Sequence, residues 1–457
     1  MMNRPLRVLF VSAEVAPFAK VGGLADVAGA LPRALAARGH DVRVVTPRHS
    51  AEAIGEIAAS IPLSAARQAA ARATSAGGDG VPVYLVESES LFPRDRVYGE
   101  ANDLDRYLAF CQAALELPKQ LGWQPDIFHC NDWHTAPIAF GVRNRAWGDA
   151  FYRDLACVLT IHNLRYRGPD ELADFLCQGI YYADAVTTVS ETYAREILTP
   201  EYGEGLHPLL QERRDRLFGI LNGLDYRDYD PANDRHLAAN FDAASLERRS
   251  ANKTALQERT GLAADANAPV VGMVSRLTEQ KGMDLTLEAM EALLSEGAAQ
   301  LVVLGSGDEA YHRAFRDLAQ RHAGRAAVSI AFDHPLAQLI YGGSDIFLMP
   351  SRFEPCGLGQ LIALRYGAIP VVRHTGGLAD TVSDYTGPES EGNGFVFQEY
   401  SSPALLATLR RALATFQRAD EWRRLQARGM GLDFSWDRSA ERYEAVYRRA
   451  LTGRASP

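Results

Sequence analysis

Two cations in the second half of the chain have the types and spacing needed to bind a diphosphate. The segment VSRLTEQKG follows an apolar run and places Arg276 and Lys281 on one predicted loop. A planar guanidinium and a mobile ammonium together suit a diphosphate, above all one that gains negative charge as a bond to it breaks. The alternative is a solvated loop that carries two surface cations.

A second predicted loop, SRFEPCGLGQ, follows the apolar run DIFLMP and extends from Ser351 to Gln360. Its proline and glycines predict a rigid turn that aims Glu354 at hydroxyl groups while backbone N–H groups contact an anion. Cys356 could act as a nucleophile, but no His–Asn partner pattern accompanies it. The loop therefore favours ligand binding.

Histidines follow or lie in two apolar runs of the first half. PDIFHCNDWHT contains His129, Asp132 and His134, and LTIHNLRYRG contains His162. A metal site is the alternative, but the HExxH spacing is absent. We expect His129 in the core, and His162 where a sugar hydroxyl or a reacting bond is contacted.

Other metal and redox signals are weak. The five cysteines form no CxxC pair, and their odd number argues against a disulfide framework. The Asp-x-Asp pairs at 103–105 and 228–230 do not end apolar runs, so they indicate caps or linker residues. We expect no metal and no cofactor.

The pentapeptide GGLAD occurs twice, at Gly22 to Asp26 and at Gly376 to Asp380. Each copy follows an apolar run and opens a segment with helical spacing. Paired glycines allow close backbone approach to a ligand, and the N–H groups of the next helix favour an anion. Two such turns suggest two α/β units facing one ligand. The alternative is two ordinary strand-to-helix turns in a chain rich in Gly, Leu and Ala.

Apolar runs of four to eight residues alternate with helical segments along most of the 457 residues. This alternation predicts an α/β protein with doubly wound parallel sheets. It stops in a polar stretch after residue 225 and then resumes. We therefore predict a first Rossmann-like domain at 1–240, a second at 253–434, and a helix at about 435–451 that packs back on the first.

The net charge of −9 gives no reason to expect nucleic acid or an anionic membrane as a partner. Basic residues precede an apolar run at the N-terminus, as in a signal peptide, but Glu14 interrupts that run and a first buried strand fits better. No run is long enough to span a bilayer. We expect a cytoplasmic protein.

Taken together, these motifs resemble the bacterial and plant glycogen and starch synthases, the retaining glucosyltransferases of glycosyltransferase family 5. KVGGLADV, HCNDWH, TIHNLRYRG, GILNGLD, VSRLTEQKG, SRFEPCGLGQ and HTGGLADTV occur in the family's order over nearly the whole chain. The resemblance implies a GT-B fold, with the active site in the cleft between two Rossmann-like domains. It also implies transfer of glucose from a nucleotide sugar, usually ADP-glucose, to the nonreducing end of an α-1,4-glucan with retention.

The resemblance also implies roles for individual residues. Lys20, Arg276 and Lys281 would bind and neutralise the diphosphate. Glu354 would hold the donor glucose, and His162 would lie next to the reacting centre. The other implied substrate-binding residues are Gly22, Gly23, Asp26, Tyr98, Asp132, Asn222, Cys356, Gly357, Leu358, Thr375, Gly376 and Gly377.

Two departures from the family pattern bear on substrate binding. The passage from HNLRYRG to GIYYAD, residues 168–181, is shorter than is usual, which puts the acceptor length in doubt. The position eight residues after Glu354 is Ile362, where the wider pattern has a second Glu. Alternatives are a relative that uses UDP-glucose or a short maltooligosaccharide, and a catalytically silent glucan-binding protein. The sequence does not indicate the oligomeric state.

Overall fold

The computed structural model describes residues 4–50, 55–64, 67–74, 80–88, 91–92, 96–168 and 174–454. The chain forms two compact units. The first consists of Met1–Gly223 and Ser435–Pro457, and the second of Leu224–Phe434. Among the described residues, no helix has both the length and the apolar character needed to cross a membrane.

The first unit contains a sheet in which nine strands are found among the described residues, in the order β3-β4-β5-β2-β1-β6-β7-β8-β9. Pairing is parallel except on the two sides of β4. The strands are β1 Arg7–Val11, β2 Asp41–Pro47, β3 Glu56–Ser64, β4 Arg67–Thr74, β5 Val83–Glu87, β6 Ile127–Asn131, β7 Ala156–Ile161, β8 Ala185–Thr188 and β9 Leu217–Gly219.

Helices cover both faces of this sheet, as its buried central strands require. Apolar residues predominate in β1 and β7, whereas β6 and β8 add His, Asn and Thr, and all positions of the four strands except Arg7 are buried. The helices of the first unit are α1 Gly23–Ala37, α2 Asp103–Gln120, α3 Asp132–Thr135, α4 Pro137–Ala146, α5 Phe175–Tyr182, α6 Glu191–Glu196, α7 His207–Glu212 and, at the end of the chain, α16 Trp436–Arg454.

The second unit has a parallel sheet with the strand order β12-β11-β10-β13-β14-β15. This is the 3-2-1-4-5-6 order of the Rossmann fold. Its strands are β10 Val270–Val274, β11 Gln300–Leu304, β12 Ala326–Ser329, β13 Ile346–Met349, β14 Ile369–Arg373 and β15 Phe395–Phe397. Its helices are α8 Arg249–Thr260, α9 Met283–Ser295, α10 Glu309–Arg321, α11 His334–Gly343, α12 Gly359–Arg365, α13 Gly376–Thr381, α14 Ser402–Phe416 and α15 Ala419–Met430.

These two sheets confirm the predicted α/β class with two doubly wound, predominantly parallel sheets. The units divide after Gly223, whereas the sequence placed the end of the first domain at residue 240. The Tyr366 hydroxyl donates to Asp234 at 2.8 Å, and Arg365 pairs with Asp230 at 3.0 Å. These polar contacts hold residues 224–240 on the second unit.

Helix α16 belongs to the first unit, where it packs on α1 and β7. Its Tyr447 hydroxyl is 2.7 Å from the His129 Nδ1 atom, and Thr160 Oγ1 is 2.6 Å from the Nε2 atom. His129 is fully buried. The structure therefore places this histidine in the core, as the sequence predicted.

Candidate functional site

Most of the predicted site residues follow the carboxyl ends of central strands, which are β1, β6 and β7 in the first unit and β10, β13 and β14 in the second. Two candidates of the first unit differ, since Tyr98 lies between β5 and α2 and Asn222 follows β9. The strand order reverses between β1 and β6, and again between β10 and β13. In open α/β sheets, ligands bind outside the carboxyl ends of the strands at such switch points.

In the second unit, Lys281 and Glu354 form a buried ion pair. The Lys281 Nζ atom lies 2.6 Å from Glu354 Oε2, and the Ser351 hydroxyl donates to the same oxygen at 3.0 Å. Their side chains are only 16% and 6% exposed, so the pair is shielded from water. The exposed Arg276 begins the same loop, and its Nη2 donates to Gln280 at 3.3 Å. The structure thus brings Lys281 and Glu354 into contact, and Arg276 lies on the loop that carries Lys281.

The second GGLAD copy is packed against the Glu354 loop. Gly376 has a φ of +45°, and a Cβ atom there would lie 1.9 Å from the Glu354 carbonyl oxygen. At Gly377, a Cβ atom would lie 2.0 Å from the Cys356 carbonyl oxygen. Both glycines are thus required by the fold, because any side chain would push the backbones of the two loops apart.

Replacing Gly377 with alanine should therefore disturb the site and destabilise the unit. We expect a loss of about 1–3 kcal/mol in the free energy of unfolding, because the Cβ overlaps with backbone atoms. Thermal and chemical unfolding would measure it. Gly148 has open space around its Cβ position, and Gly148→Ala should change stability by less than about 0.5 kcal/mol. Equal stability of the two variants would contradict this packing argument.

In the first unit, a hydrogen bond joins the side chain of Asp132 to the backbone of His162. Asp132 follows β6 directly and has a left-handed φ of 56°. Its Oδ1 accepts the His162 backbone N–H at 2.7 Å. The His162 Nε2 atom lies 2.9 Å from Asn131 Oδ1. Burial lowers the pKa of His162 to about 3, so its imidazole is neutral at pH 7.

Burial also raises the pKa of Asp132 to about 7, and the nearby Glu14 carboxylate adds to the shift. A pKa raised on folding means that the folded state binds the proton more tightly. The stabilisation is complete below the unfolded pKa near 4 and is lost as pH rises through 7. Wild type should therefore lose stability with rising pH relative to a variant that cannot titrate at this position.

Asp132→Asn is that variant, because asparagine also tolerates the left-handed conformation. Chemical denaturation at pH 5 and pH 7 would measure the difference in unfolding free energy between wild type and variant. We expect this difference to shift against wild type by about 2 kcal/mol from pH 5 to pH 7. A difference that is constant or shifts the other way would contradict the assigned pKa.

The first GGLAD copy is fixed by hydrogen bonds to a carboxylate, whereas the second is packed against another loop. The Glu14 carboxylate accepts the backbone N–H groups of Val21 at 2.5 Å and of Gly22 at 3.1 Å. Gly22 has an extended backbone, and a Cβ atom there would meet only Glu14 Oε1, at 3.8 Å. The conformation and packing of the described residues therefore do not demand glycine at Gly22, and close approach of a ligand remains as a reason for it.

Three further candidates lie near this turn. The exposed Lys20 is paired with Asp26 at 2.6 Å. Tyr98 hydrogen-bonds to Glu14, and burial raises the pKa of Tyr98 well above its usual value. Burial likewise raises the pKa of Glu14. Sequence reasoning missed Glu14 as a site residue, although a glutamate that interrupts an apolar run was the available signal.

Asn222, the remaining candidate of the first unit, follows β9. It is 6% exposed, and its Oδ1 atom is buried without a hydrogen-bond partner among the described residues. A buried acceptor that lacks a partner costs free energy unless a ligand or water satisfies it. This orphan oxygen is consistent with a binding role for Asn222.

Of the two departures from the family pattern, the structure describes Ile362 in full and the 168–181 passage only in part. Ile362 lies in α12 and is only 4% exposed, in an apolar cluster with Leu361 and Ala363. A packed apolar side chain cannot make the polar contact that the wider pattern provides at this position. The shortened 168–181 passage lies partly outside the described residues, because 169–173 are not described.

The sequence predicted neither a metal site nor a disulfide, and the arrangement of the His, Cys, Asp and Glu side chains bears on both expectations. Among the described residues, no group of three or more His, Cys, Asp or Glu side chains is arranged to hold a metal ion. None of the five cysteines is disulfide-bonded, and Cys356 is buried. Burial shields this thiol from solvent and does not favour a nucleophilic role.

Comparison with known proteins gives matches in both units. A family model described as the starch synthase catalytic domain matches residues 7–212, and one described as glycosyl transferases group 1 matches residues 256–425. A glycogen synthase of Moorella thermoacetica is 47% identical over 481 residues, covering 99% of this chain and 98% of the relative. A glycogen synthase of an Anaeromyxobacter species is 47% identical over 475 residues, covering 97% and 99%.

Solved structures agree with these matches. The catalytic domain of starch synthase IV from Arabidopsis thaliana, bound to ADP and acarbose, has a TM-score of 0.89 and 34% identity, covering 98% of this chain and 100% of that one. A sucrose-phosphate synthase from Thermosynechococcus elongatus, at 19% identity and a TM-score of 0.64, shares the fold. The fold and the matches define a glycosyltransferase of the GT-B class. The chain belongs to the glycogen and starch synthase family, as the motifs predicted.

Proposed function

We propose that this enzyme transfers glucose from ADP-glucose to the nonreducing end of an α-1,4-glucan with retention of configuration. The observation that carries this proposal is the full-length similarity to a starch synthase whose structure was solved with ADP and acarbose. The relatives named glycogen synthase support it over the same length. The nucleotide sugar is a substrate, and no cofactor is part of the proposal.

In the second unit, Arg276 and Lys281 bind the diphosphate and neutralise the charge that develops as it leaves. The Lys281 Nζ atom is held 2.6 Å from Glu354 Oε2, so this carboxylate oxygen orients the ammonium. The other oxygen of Glu354 can accept a hydrogen bond from a sugar hydroxyl. An ammonium fixed in advance and shielded from water stabilises a leaving group more strongly than a solvated one does. This is the role that we assign to the buried pair.

The backbone around Glu354 completes the proposed donor site. Its N–H groups at Cys356, Gly357 and Leu358 hold the glucose, and Gly357 has a left-handed φ of 73° that turns the chain there. The turn that begins at Thr375 contacts the phosphates. Gly376 and Gly377 give this turn its close packing on the Glu354 loop, which supports a shared role for the two loops.

In the first unit, Lys20 with Gly22 and Gly23 contacts the donor, and His162 contacts the glucose beside the reacting bond. Asp26, Tyr98, Asp132 and Asn222 are assigned to the donor and acceptor pockets. The hydrogen bond from the His162 N–H to Asp132 supports their common role, because it ties the two loops together. The location of the active site in a cleft between the domains stays a prediction from the resemblance.

The proposed mechanism is a front-side displacement. The diphosphate leaves as an ion pair with the glucosyl cation, and its own oxygen takes the proton of the incoming hydroxyl. The new bond forms on the face that the diphosphate leaves, so configuration is retained. A covalent glycosyl enzyme is the alternative, but the sequence provides no carboxylate paired with Glu354 as in retaining hydrolases.

Donor and acceptor choice separate this proposal from its alternatives. Initial rates with ADP-glucose and UDP-glucose, on glycogen and on short maltooligosaccharides, would measure both. We expect the highest rate with ADP-glucose and glycogen. Faster transfer from UDP-glucose or to short acceptors would favour the related transferase, and no nucleotide release from either donor would favour a silent glucan-binding protein.

We also propose a cytoplasmic location and no role for nucleic acid or membranes. None of the five cysteines forms a disulfide, which fits a reducing compartment. The net charge of −9 provides no general attraction to polyanions.

A further inference from the structure

Asn131 has a fixed amide orientation that determines the protonation of His162. Asn131 ends β6 and is fully buried. Its Nδ2 group donates to the Val11 carbonyl oxygen at 2.9 Å. A backbone carbonyl only accepts hydrogen bonds, so the nitrogen of the amide must face Val11 and the oxygen must face the other way. That oxygen lies 2.9 Å from His162 Nε2.

An amide oxygen can only accept, so the His162 Nε2 atom must carry the proton. The imidazole is neutral at pH 7, since burial lowers its pKa to about 3. A neutral imidazole protonated at Nε2 has a lone pair at Nδ1. Among the described residues, Nδ1 has no hydrogen-bond partner, and His162 is only partly buried. The lone pair at Nδ1 is therefore available to a ligand.

The neighbouring Asp132 fixes the backbone of the same histidine. Its Oδ1 accepts the His162 N–H at 2.7 Å, so two consecutive residues of one chain segment hold the side chain and the main chain of His162. A ring held at both points loses little entropy when a substrate binds to it.

We propose that Asn131 is a positioning residue that holds His162 in the Nε2–H tautomer, so that Nδ1 accepts a hydrogen bond from a substrate hydroxyl. The proposal rests on the proposed function only for the identity of the substrate. It assigns His162 as an acceptor and excludes it as a proton donor to the leaving group. Loss of the tautomer would remove one hydrogen bond in the transition state, about tenfold in rate.

The tautomer can be measured without substrate by ¹⁵N NMR of histidine-labelled protein, with His162→Gln to assign the signal. In wild type at pH 7 we expect a protonated Nε2 and an unprotonated Nδ1. Asn131→Asp keeps an acceptor and should keep this tautomer. Asn131→Leu removes the acceptor, so the Nδ1–H form should increase. An Nδ1–H form or an imidazolium in wild type would overturn the proposal.

Kinetics with the same variants separates positioning from folding. Asn252 is a matched control, since it is also fully buried and its amide makes two backbone hydrogen bonds, both to Ala239. We expect Asn131→Leu to lower kcat about tenfold, with Asn131→Asp and Asn252→Leu affected less. An unchanged kcat in Asn131→Leu, despite an altered tautomer, would overturn the role. Because the NMR signal needs no turnover, failure of the proposed reaction would leave the tautomer result standing.

Discussion

Replacing Lys281 with alanine is expected to lower kcat about 10²–10³-fold, the usual loss when one preorganised group that stabilises developing charge is removed. The Lys281 side chain is only 16% exposed and its ammonium is held 2.6 Å from Glu354, so water is a poor replacement for it. The donor KM should change less than kcat, because the charge on the diphosphate grows as the bond breaks. Steady-state rates at saturating donor would measure the effect.

Lys253 provides the control for this prediction. It lies in the same unit and is similarly shielded, and its Nζ atom is 2.8 Å from Asp345. Asp345 precedes β13, so this ion pair lies at the amino end of that strand. Either substitution breaks a buried ion pair and should destabilise the protein, by about 3–5 kcal/mol. Only Lys281→Ala should also remove the leaving-group stabilisation. Equal losses of kcat in the two variants, both assayed while folded, would show that Lys281 acts through stability alone.

Glu354→Ala is expected to lower kcat/KM about 10³-fold. The hydrogen bonds that the carboxylate accepts from Lys281 and Ser351 would be lost, and so would the one proposed from the donor glucose. The bonds from Lys281 and from the glucose, at about 1.5–3 kcal/mol each, account for the expected loss. The change would also leave the Lys281 ammonium buried without its carboxylate. Glu354→Gln keeps an acceptor oxygen and the hydrogen bond from Ser351, so its loss should be smaller.

Glu421 is the matched control for the carboxylate. It is also buried in the second unit, it accepts the Tyr385 hydroxyl at 2.5 Å, and it pairs with Arg418. Glu421→Ala should lower stability and leave the kcat/KM of the folded fraction unchanged. If Glu421→Ala matched Glu354→Ala in kcat/KM, the assignment of Glu354 to the donor site would fail.

The fold could be predicted from the sequence because local patterns determine it. Short apolar runs such as RVLFV and IFHCN form buried parallel strands, and the helical segments between them cover the sheets. The domain boundary was harder to predict from the sequence. The polar stretch at 224–240 has linker composition, yet Asp234 is bound by Tyr366, 132 positions away in sequence. A contact at that separation leaves no local signal.

In the candidate site, too, the residues with a local sequence signal were predicted and those that depend on distant contacts were not. Arg276, Lys281 and Glu354 were found because each follows an apolar run on a short loop, and the structure brings Lys281 and Glu354 into contact across 73 positions. Asn131 and Glu14 were not assigned roles. The role of Asn131 depends on the Val11 carbonyl, 120 positions away, and that of Glu14 on backbone N–H groups of a turn. Neither residue type is distinctive by itself.

The repeated GGLAD pentapeptide shows that one motif can be used for two physical reasons. At Gly377 the packing of the Cys356 backbone excludes any side chain, whereas at Gly22 the described structure leaves space. The sequence cannot separate these cases, because the difference lies in what approaches each turn.

The stereochemistry and position of the new bond test the central claim most directly. Incubation with ADP-[¹³C]glucose and a maltooligosaccharide, followed by NMR of the product, would identify the linkage while ADP release is measured in parallel. We predict a new α-1,4 linkage at the nonreducing end, formed in equal amount to the ADP released. A β linkage, or release of free glucose without chain extension, would contradict a retaining glucan synthase.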